Sequence, residues 1–326
     1  MSRICRSETM PFPTGYRQQA TCRFSHGLRA TSYVPPFFPL YDRFGGTAKM
    51  EHLEGFVSVA RGGKIYWQTW LPTGETRAVL IIVHGLAEHG GRYANLVNHF
   101  VPRGYAVYAY DHPGHGRSDG PRVYIRRFAD LTDVLQHHVA RIQAQHPDSP
   151  LFLIGHSFGA LVAARFLLDR QDGFAGAVLS GSLVKVPDHV SSFTVACSRI
   201  LSTLIPKAGL VGLDAAAISR DPEVVRAYLD DPLVYKGKTT ARLGCEMLKC
   251  MQEVTAEAGR ITLPILILHG GEDRLVDLAA AQMLHERLGS ADKALIVYDG
   301  LHHEVYNEPE HPDVLADVEA WIDKRI

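Results

Sequence analysis

The sequence PLFLIGHSFGALVAA, residues 150–164, indicates the fold class more directly than any other part of the chain. A short apolar run of strand length reaches the motif G-x-S-x-G and continues at once into sequence rich in Ala and Leu, which favours a helix. Ser157 is therefore predicted at the turn between a strand and a helix, the position of the serine in a nucleophile elbow. Gly155 and Gly159 fit this prediction, because so sharp a reversal brings two backbones together and leaves no room for a Cβ atom.

The motif G-x-S-x-G occurs a second time, at residues 116–120, with Ser118 in the central position. This copy follows the turn-forming sequence DHPG at residues 111–114 and runs into a Gly-Pro pair, with no helical sequence behind it. The context therefore favours Ser157 over Ser118 as a nucleophile.

The composition is that of an ordinary globular protein. The chain has 326 residues, of which 46% are apolar and 21% are charged, and its formal net charge is -1. This length and composition suit one large α/β domain, with or without an insertion. The small net charge gives no electrostatic reason to expect a nucleic acid partner. Five cysteines form no CxxC pair and no metal-binding spacing, which favours a reduced, cytoplasmic location. No apolar run reaches the about 18 residues that a membrane-spanning helix needs.

Residues 1–49 differ from the rest of the chain. They contain six arginines against two acids, Glu8 and Asp42, and an apolar cluster of prolines and aromatic residues at 33–41, but they show no periodicity. We predict a poorly ordered extension. A genuine tail, a targeting segment and sequence upstream of a true start at Met50 all agree with this composition. The cluster is apolar enough to pack on the body of the protein or on a membrane.

Apolar and β-branched runs predict the strands of a mostly parallel sheet. Between them, helical periodicity recurs, so the alternation indicates a doubly wound α/β fold. An opening hairpin is expected at residues 54–60 and 64–71, and further strands at 78–83, 105–110, before the elbow, at 177–180, 264–269 and 293–298. Helices are expected at about 93–101, at 131–142 and from the elbow to about 169.

The alternation stops between residues 183 and 259, where the sequence is mostly helical in character. We interpret this segment as a helical cap inserted into a core that comprises residues 50–182 and 260–326. Such an insertion lies at the carboxyl edge of the strands, where open α/β sheets bind their ligands.

The predicted cap contains an apolar stripe with helical spacing. Its members are Phe193, Ala196, Ile200 and Leu204. Packing on the body and contact with a lipid surface explain this stripe equally well. In the second case the protein would bind at the periphery of a membrane.

A serine nucleophile needs a base that takes its proton and a carboxylate that orients the base. In this fold the acid and then the base follow the serine along the chain, each on a loop after a strand. Asp273 is the best placed acid, with Glu272 and Asp277 as neighbouring alternatives. The base is His302 or His303, since both follow the last strand. This chemistry requires no metal and no cofactor.

Two backbone N–H groups are needed to stabilise the oxyanion of a tetrahedral intermediate. Phe158, the residue after the nucleophile, supplies one of them. The second comes from the loop after the strand at residues 78–83. On that loop the sequence His84-Gly85-Leu86 makes Leu86 the expected donor.

Four blocks of sequence together resemble one known family. They are HGLAEHGGRY at 84–93, DHPGHGRS at 111–118, GHSFG at 155–159, and the stretch from SRD at 219–221 to DPL at 231–233. From about Met50 to the C-terminus the chain resembles the monoacylglycerol lipase family of α/β-hydrolases. The first two blocks are more specific to the family than G-x-S-x-G, which occurs in many hydrolases.

The resemblance implies an α/β-hydrolase fold with a mostly parallel central sheet and an inserted helical cap. It implies cleavage of monoacylglycerols to glycerol and a fatty acid through an acyl-enzyme on Ser157. Matching the family's closing motif selects His303 as the base, and its G-x-x-D-R block selects Asp273 as the acid. Phe158 stands where the family usually has Met, and Ala160 where it often has Gly, so both residues reshape the floor of the pocket.

The resemblance also implies a binding site for the polar end of the substrate. It places Glu88 and Tyr228 near the glycerol group, with Arg92 holding the loop. The residues themselves allow a second interpretation, in which Glu88, His89 and Arg92 form a polar network that stabilises the oxyanion loop.

The triad alone does not determine the leaving group. Lysophospholipids and short-chain carboxylic esters are therefore alternative substrates, and an acyltransferase or a peptidase can use the same scaffold. A hydrolase-fold protein that only binds a ligand is a further alternative, but such proteins usually lack a member of the triad, whereas this chain has candidates for all three.

Overall fold

The computed structural model describes residues 50–60, 63–186 and 192–326, with the side chains of residues 192–197 excepted. The predictions for residues 1–49 lie outside this part of the chain. Within it, eight strands form one central sheet and two more form a small hairpin. The strands are β1 Glu51–Val59, β2 Gly63–Leu71, β3 Ala78–Val83, β4 Tyr105–Tyr110, β5 Leu151–His156, β6 Phe174–Ser180, β7 Gly209–Val211, β8 Thr239–Thr240, β9 Ile265–Gly270 and β10 Lys293–Tyr298.

Helices cover both faces of the central sheet. They are α1 Ala94–Phe100, α2 Ala129–Gln145, α3 Phe158–Leu167, α4 Ser192–Leu204, α5 Pro222–Asp230, α6 Ala241–Glu257, α7 Leu278–Arg287 and α8 His311–Asp323. The strand order in the sheet is β1-β2-β4-β3-β5-β6-β9-β10. The pairs β1–β2 and β2–β4 are antiparallel and the others are parallel.

The burial of β3 shows why the sheet needs helices on both faces. All six of its residues are buried. The odd-numbered residues belong to a large apolar cluster that includes residues of α2, α3 and α7, and the even-numbered ones to a second cluster that includes residues of α1 and α8. A strand with apolar side chains on both faces is stable only between two layers of helices, so the continuous apolar runs in the sequence correspond to the buried middle of this sheet.

The prediction of a doubly wound, mostly parallel α/β fold is confirmed. The strands β4 and β10 have the predicted bounds, and the opening hairpin forms in antiparallel register. Helix α2 is longer than its apolar stripe and ends at Gln145, with His146 as its C-cap before Pro147. Residues 278–287 and 311–323 form helices, α7 and α8, for which no prediction was made.

The segment between β6 and β9 leaves the sheet, because these two strands pair directly with each other. It contains α4, α5 and α6, as the helical character of the sequence predicted, and also the hairpin of β7 and β8, which was not predicted. The boundaries of the cap at residues 183 and 259 stay a prediction.

Part of the predicted apolar stripe faces solvent. Ile200 is 60% exposed and Leu204 is 73% exposed, whereas the side chains of Phe193 and Ala196 lie outside the described residues. Further exposed apolar side chains follow along the chain. We name these residues, together with Ile200 and Leu204, the cap apolar surface. Its members are Ile200, Leu204, Ile205, Leu210 and Val211. In the described part of the chain, no helix is both long enough and apolar enough to cross a bilayer.

Candidate active site

The turn between β5 and α3 has the geometry of a nucleophile elbow. Ser157 adopts φ 53 and ψ -117, which is a conformation that a residue with a side chain rarely takes. A Cβ atom on Gly155 would lie 2.9 Å from the Cα of Ala160. On Gly159 it would lie 1.9 Å from the carbonyl oxygen of Val83. The crowding that the sequence predicted is therefore confirmed at both glycines.

Ser118, in the second copy of the motif, has a structural role. Its buried Oγ donates to the carbonyl oxygen of Asp111 at 2.7 Å and accepts from the backbone N–H of Tyr66 at 2.9 Å. Both partners are main-chain groups, so the hydroxyl joins the loop to β2. The preference for Ser157 over Ser118 agrees with this geometry.

The structure brings the predicted acid and base together. His303 Nδ1 lies 2.7 Å from Asp273 Oδ2, and both side chains are almost fully buried. A carboxylate can only accept, so Nδ1 carries the proton and Nε2 is left as the basic nitrogen. Asp273 Oδ1 accepts from the backbone N–H groups of Leu275 and Val276 at 2.8 and 3.0 Å.

The environment of Asp273 keeps it ionised. Burial acts to raise the pKa of this carboxyl group, but the hydrogen bonds and the charge of His303 outweigh it, and the pKa lies below its usual value. The neighbouring acids have other positions. Glu272 is exposed, and Asp277 caps α7 by accepting from the N–H of Ala279 at 2.8 Å. His302 makes no such contact with Asp273, and its Nδ1 is buried without a hydrogen bond.

A small cavity lies between the elbow, the loop after β3, the loop after β10 and the cap. It is lined by Gly85, Leu86, Glu88, His156, Ser157, Leu213, Ile218, Tyr228, His303 and Glu304. The predicted nucleophile and base thus face one space. The residues that line it divide into polar groups and aliphatic groups, so the cavity offers two different environments.

The two predicted oxyanion donors follow adjacent strands, since Leu86 comes after β3 and Phe158 after β5. Phe158 is the first residue of α3, so its N–H has no partner within the helix. The N–H of Gly85 is engaged, since it donates to Glu88 Oε1 at 2.6 Å. Leu86, the next residue, lines the cavity beside Ser157. This arrangement leaves the amide of Leu86 as the candidate donor on this loop.

Glu88 and Arg92 form a polar network. Glu88 Oε1 also accepts from the hydroxyl of Tyr93 at 2.8 Å, and Oε2 accepts from Arg92 Nη1 at 2.6 Å. The guanidinium of Arg92 lies over the ring of Tyr228, 4.7 Å from its centre. The second interpretation of Glu88 and Arg92, as a network that supports the loop, agrees with these contacts. His89 extends the network to the cap through Asp231, at 2.9 Å.

Glu304 belongs to the site although the sequence did not identify it. This buried residue follows His303 directly, and its two carboxylate oxygens accept from Arg92 Nη1 and Nη2 at 2.7 and 2.8 Å. Burial acts to raise the pKa of Glu304, but Arg92 outweighs it and lowers the pKa below its usual value. An acid next to the base was the only signal in the sequence, because its partner lies more than 200 residues away.

Three buried histidines support the loop after β3. His84 Nδ1 donates to the carbonyl oxygen of Gly85 at 2.8 Å, and its Nε2 accepts from the N–H of His112 at 2.9 Å. His112 Nε2 donates to the carbonyl oxygen of His84 at 3.1 Å, and the ring of His115 packs beside both. Within the residues that the structure describes, no three His, Cys, Asp or Glu side chains are arranged to hold a metal ion.

Comparisons with known proteins identify the family. The sequence model of Hydrolase_4, described as serine aminopeptidase, S33, matches residues 74–310. The chain belongs to this family. A monoacylglycerol lipase of Mycolicibacterium smegmatis is 40% identical over 276 residues, which cover 85% of this chain and 98% of the relative. The monoglyceride lipase of Homo sapiens is 34% identical over 270 residues, with 82% and 89% covered.

A solved structure agrees with the fold. The crystal structure of a monoacylglycerol lipase from Paleococcus ferrophilus matches with a TM-score of 0.71 and 27% identity, and it covers 85% of this chain and all of that one. The resemblance to the monoacylglycerol lipase family and the α/β-hydrolase fold are thereby confirmed.

The buried histidines predict a loss of stability in weak acid. Burial lowers the pKa of His112 and His138 to about 3 and that of His115 to about 4. In the unfolded chain these groups take up protons below about pH 6.5, whereas in the folded protein they do not. Stability is therefore full above that pH, and each histidine removes about 1.4 kcal/mol per pH unit as the pH falls towards its folded pKa.

The variant His138→Phe tests this prediction, with His137→Phe as the exposed control. Urea unfolding between pH 4.5 and 6.5 should show a shallower dependence of the unfolding free energy on pH for His138→Phe, by about 1.4 kcal/mol per pH unit. This window lies above the ordinary pKa values of Asp and Glu side chains. Parallel curves for His138→Phe and the parent would contradict the prediction.

Proposed function

We propose that this protein hydrolyses monoacylglycerols to glycerol and a fatty acid. The relatives named as monoacylglycerol lipases support this proposal, and so does the contact of 2.7 Å between His303 and Asp273 in a cavity shared with Ser157. That contact carries the proposal, because it supplies an oriented base beside a serine at a strained elbow.

The proposed mechanism uses the side chains in the order of the reaction. Ser157 attacks the ester carbonyl while His303 Nε2 takes its proton, and Asp273 stabilises the imidazolium that forms. The backbone N–H groups of Leu86 and Phe158 donate to the oxyanion. His303 then gives the proton to the leaving glycerol oxygen, and water hydrolyses the acyl-enzyme by the same steps in reverse order.

The lining of the cavity favours an amphipathic ester. Glu88, Tyr228 and Glu304 line it with side chains that carry oxygen atoms, and Leu86, Leu213 and Ile218 line it with aliphatic groups. We assign the polar residues to the glycerol group. Glu88 and Tyr228 bind its hydroxyls, and Arg92 holds the side chains of Glu88 and Tyr228 in place. The aliphatic residues would bind the alkyl chain, with about 0.8 kcal/mol for each CH₂ group that is buried.

A series of monoacylglycerols with increasing chain length tests this proposal. The kcat/KM should rise about threefold to fourfold for each added CH₂ group until the apolar part of the cavity is filled. Lysophosphatidylcholine and short p-nitrophenyl esters are the controls for the other substrate classes. A higher kcat/KM for lysophosphatidylcholine would transfer the assignment to a lysophospholipase, and a preference for short esters would transfer it to a general carboxylesterase.

We further propose that the cap contacts a membrane from which the lipid substrate enters. The cap apolar surface supports this, since Val211 and Leu204 are 69% and 73% exposed. Two exposed cations lie beside it: Lys207 lies between Ile205 and Leu210 in the sequence, and Lys238 abuts Gly209. Apolar side chains next to lysines suit an anionic lipid surface.

Sedimentation with vesicles tests the membrane contact. The parent should bind vesicles of phosphatidylcholine and phosphatidylglycerol. The double variant Leu204→Ser/Val211→Ser should bind them at least about tenfold more weakly. The double variant Leu53→Ser/Phe56→Ser is a matched control, because these apolar residues of β1 are 43% and 56% exposed. Failure of the parent to sediment at any lipid concentration would contradict the proposal, as would equal losses in both double variants.

A further inference from the structure

One guanidinium joins the loop of the base to the loop of the oxyanion donor. Arg92 donates from two nitrogens to Glu304 at 2.7 and 2.8 Å, and from Nη1 to Glu88 at 2.6 Å. We propose that Glu304 is a positioning residue, which through Arg92 holds the loop that carries His303 against the loop that carries Leu86. This role concerns the geometry of the ester hydrolysis proposed above.

This connection reaches the main chain on the loop that carries the candidate oxyanion donor. Glu88 accepts a hydrogen bond from Arg92 with one carboxylate oxygen and from the N–H of Gly85 with the other, at 2.6 Å each. Gly85 precedes Leu86 directly, so a displacement of Arg92 moves the peptide beside the candidate donor. Tyr93 donates to the same carboxylate at 2.8 Å and restricts it further.

Glu304, at the other end of this connection, is itself held by hydrogen bonds. Its backbone N–H donates to the carbonyl oxygen of Ile218 in the cap at 2.8 Å, and Asn307 Nδ2 donates to its carboxylate at 2.9 Å. A bidentate contact between two planar groups fixes both their distance and their relative rotation. Because His303 is the adjacent residue, this contact also restrains the base.

The net charge of this network also affects the base. Glu88 and Glu304 carry two negative charges against one positive charge on Arg92, and all three side chains are almost fully buried. The network therefore has one negative charge in excess close to the base. This charge favours the imidazolium that forms in the transition state. The other titratable groups around the base are Asp273, His269 and His156, whose ring centre lies 4.8 Å from that of His303.

The variant Glu304→Gln tests this inference with a p-nitrophenyl ester, so the result does not depend on monoacylglycerols being the substrate. Glutamine has nearly the same shape, but it lacks the charge and presents an NH₂ group to Arg92. We expect kcat to fall about 10- to 100-fold with KM within about threefold. The acid limb of the kcat/KM profile should move to lower pH, because less negative charge faces the imidazole.

Two further variants separate positioning from general stability. Arg92→Lys keeps the positive charge but cannot donate in a bidentate way, so kcat should fall while the acid limb stays in place. Glu310→Gln is the control, because Glu310 pairs with Arg220 at the surface. Circular dichroism and thermal unfolding establish which variants are folded. If Glu304→Gln does not fold, Arg92→Lys is compared with the parent instead.

The inference is overturned if the folded Glu304→Gln enzyme has the kcat and the acid limb of the parent, or if Glu310→Gln loses as much activity. A parent enzyme that hydrolyses the p-nitrophenyl ester but no monoacylglycerol contradicts the proposed substrate, and it leaves the comparison of these variants intact.

Discussion

The close approach of α3 to the end of β3 is the constraint on which the site depends. The backbone at Gly159 lies so near Val83 that a Cβ atom would come within 1.9 Å of the carbonyl oxygen. This approach sets the first turn of the helix, with the N–H of Phe158, beside the loop that leaves β3, with Leu86. Because β3 and β5 are neighbours in the sheet, one packing contact places both candidate oxyanion donors around Ser157.

Polar contacts then connect the loops around the cavity to the cap. Asp231 in the cap receives His89, and the N–H of Tyr235 donates to the carbonyl oxygen of Ala87 at 2.8 Å. Arg220, just before α5, binds Glu308, which is fully buried in the segment between β10 and α8. Burying charged groups is costly unless each finds a partner, so these pairs fix specific relative positions of cap and loops more than they add stability. The face of the cap that carries the cap apolar surface points to solvent instead.

The sequence predicted the parts of the structure that depend on local chemistry. Periodicity and apolar runs identified the sheet, and the two glycines around Ser157 identified the elbow. The choice between His302 and His303 needed the resemblance or the structure, because both follow the same strand and only the folded loop directs one of them to Asp273. Glu304 could not be identified from spacing, since its role depends on a partner distant in the chain. Whether the cap stripe is exposed depends likewise on tertiary packing.

The proposed mechanism depends on Ser157, at the elbow, as the nucleophile. The most direct measurement is to label the protein with a fluorophosphonate and to locate the adduct by mass spectrometry of its peptides. We expect the adduct on Ser157 in the parent and in Ser118→Ala, and no adduct and no esterase activity in Ser157→Ala. An adduct on Ser118, or activity retained by Ser157→Ala, would contradict the assignment of Ser157 as the nucleophile.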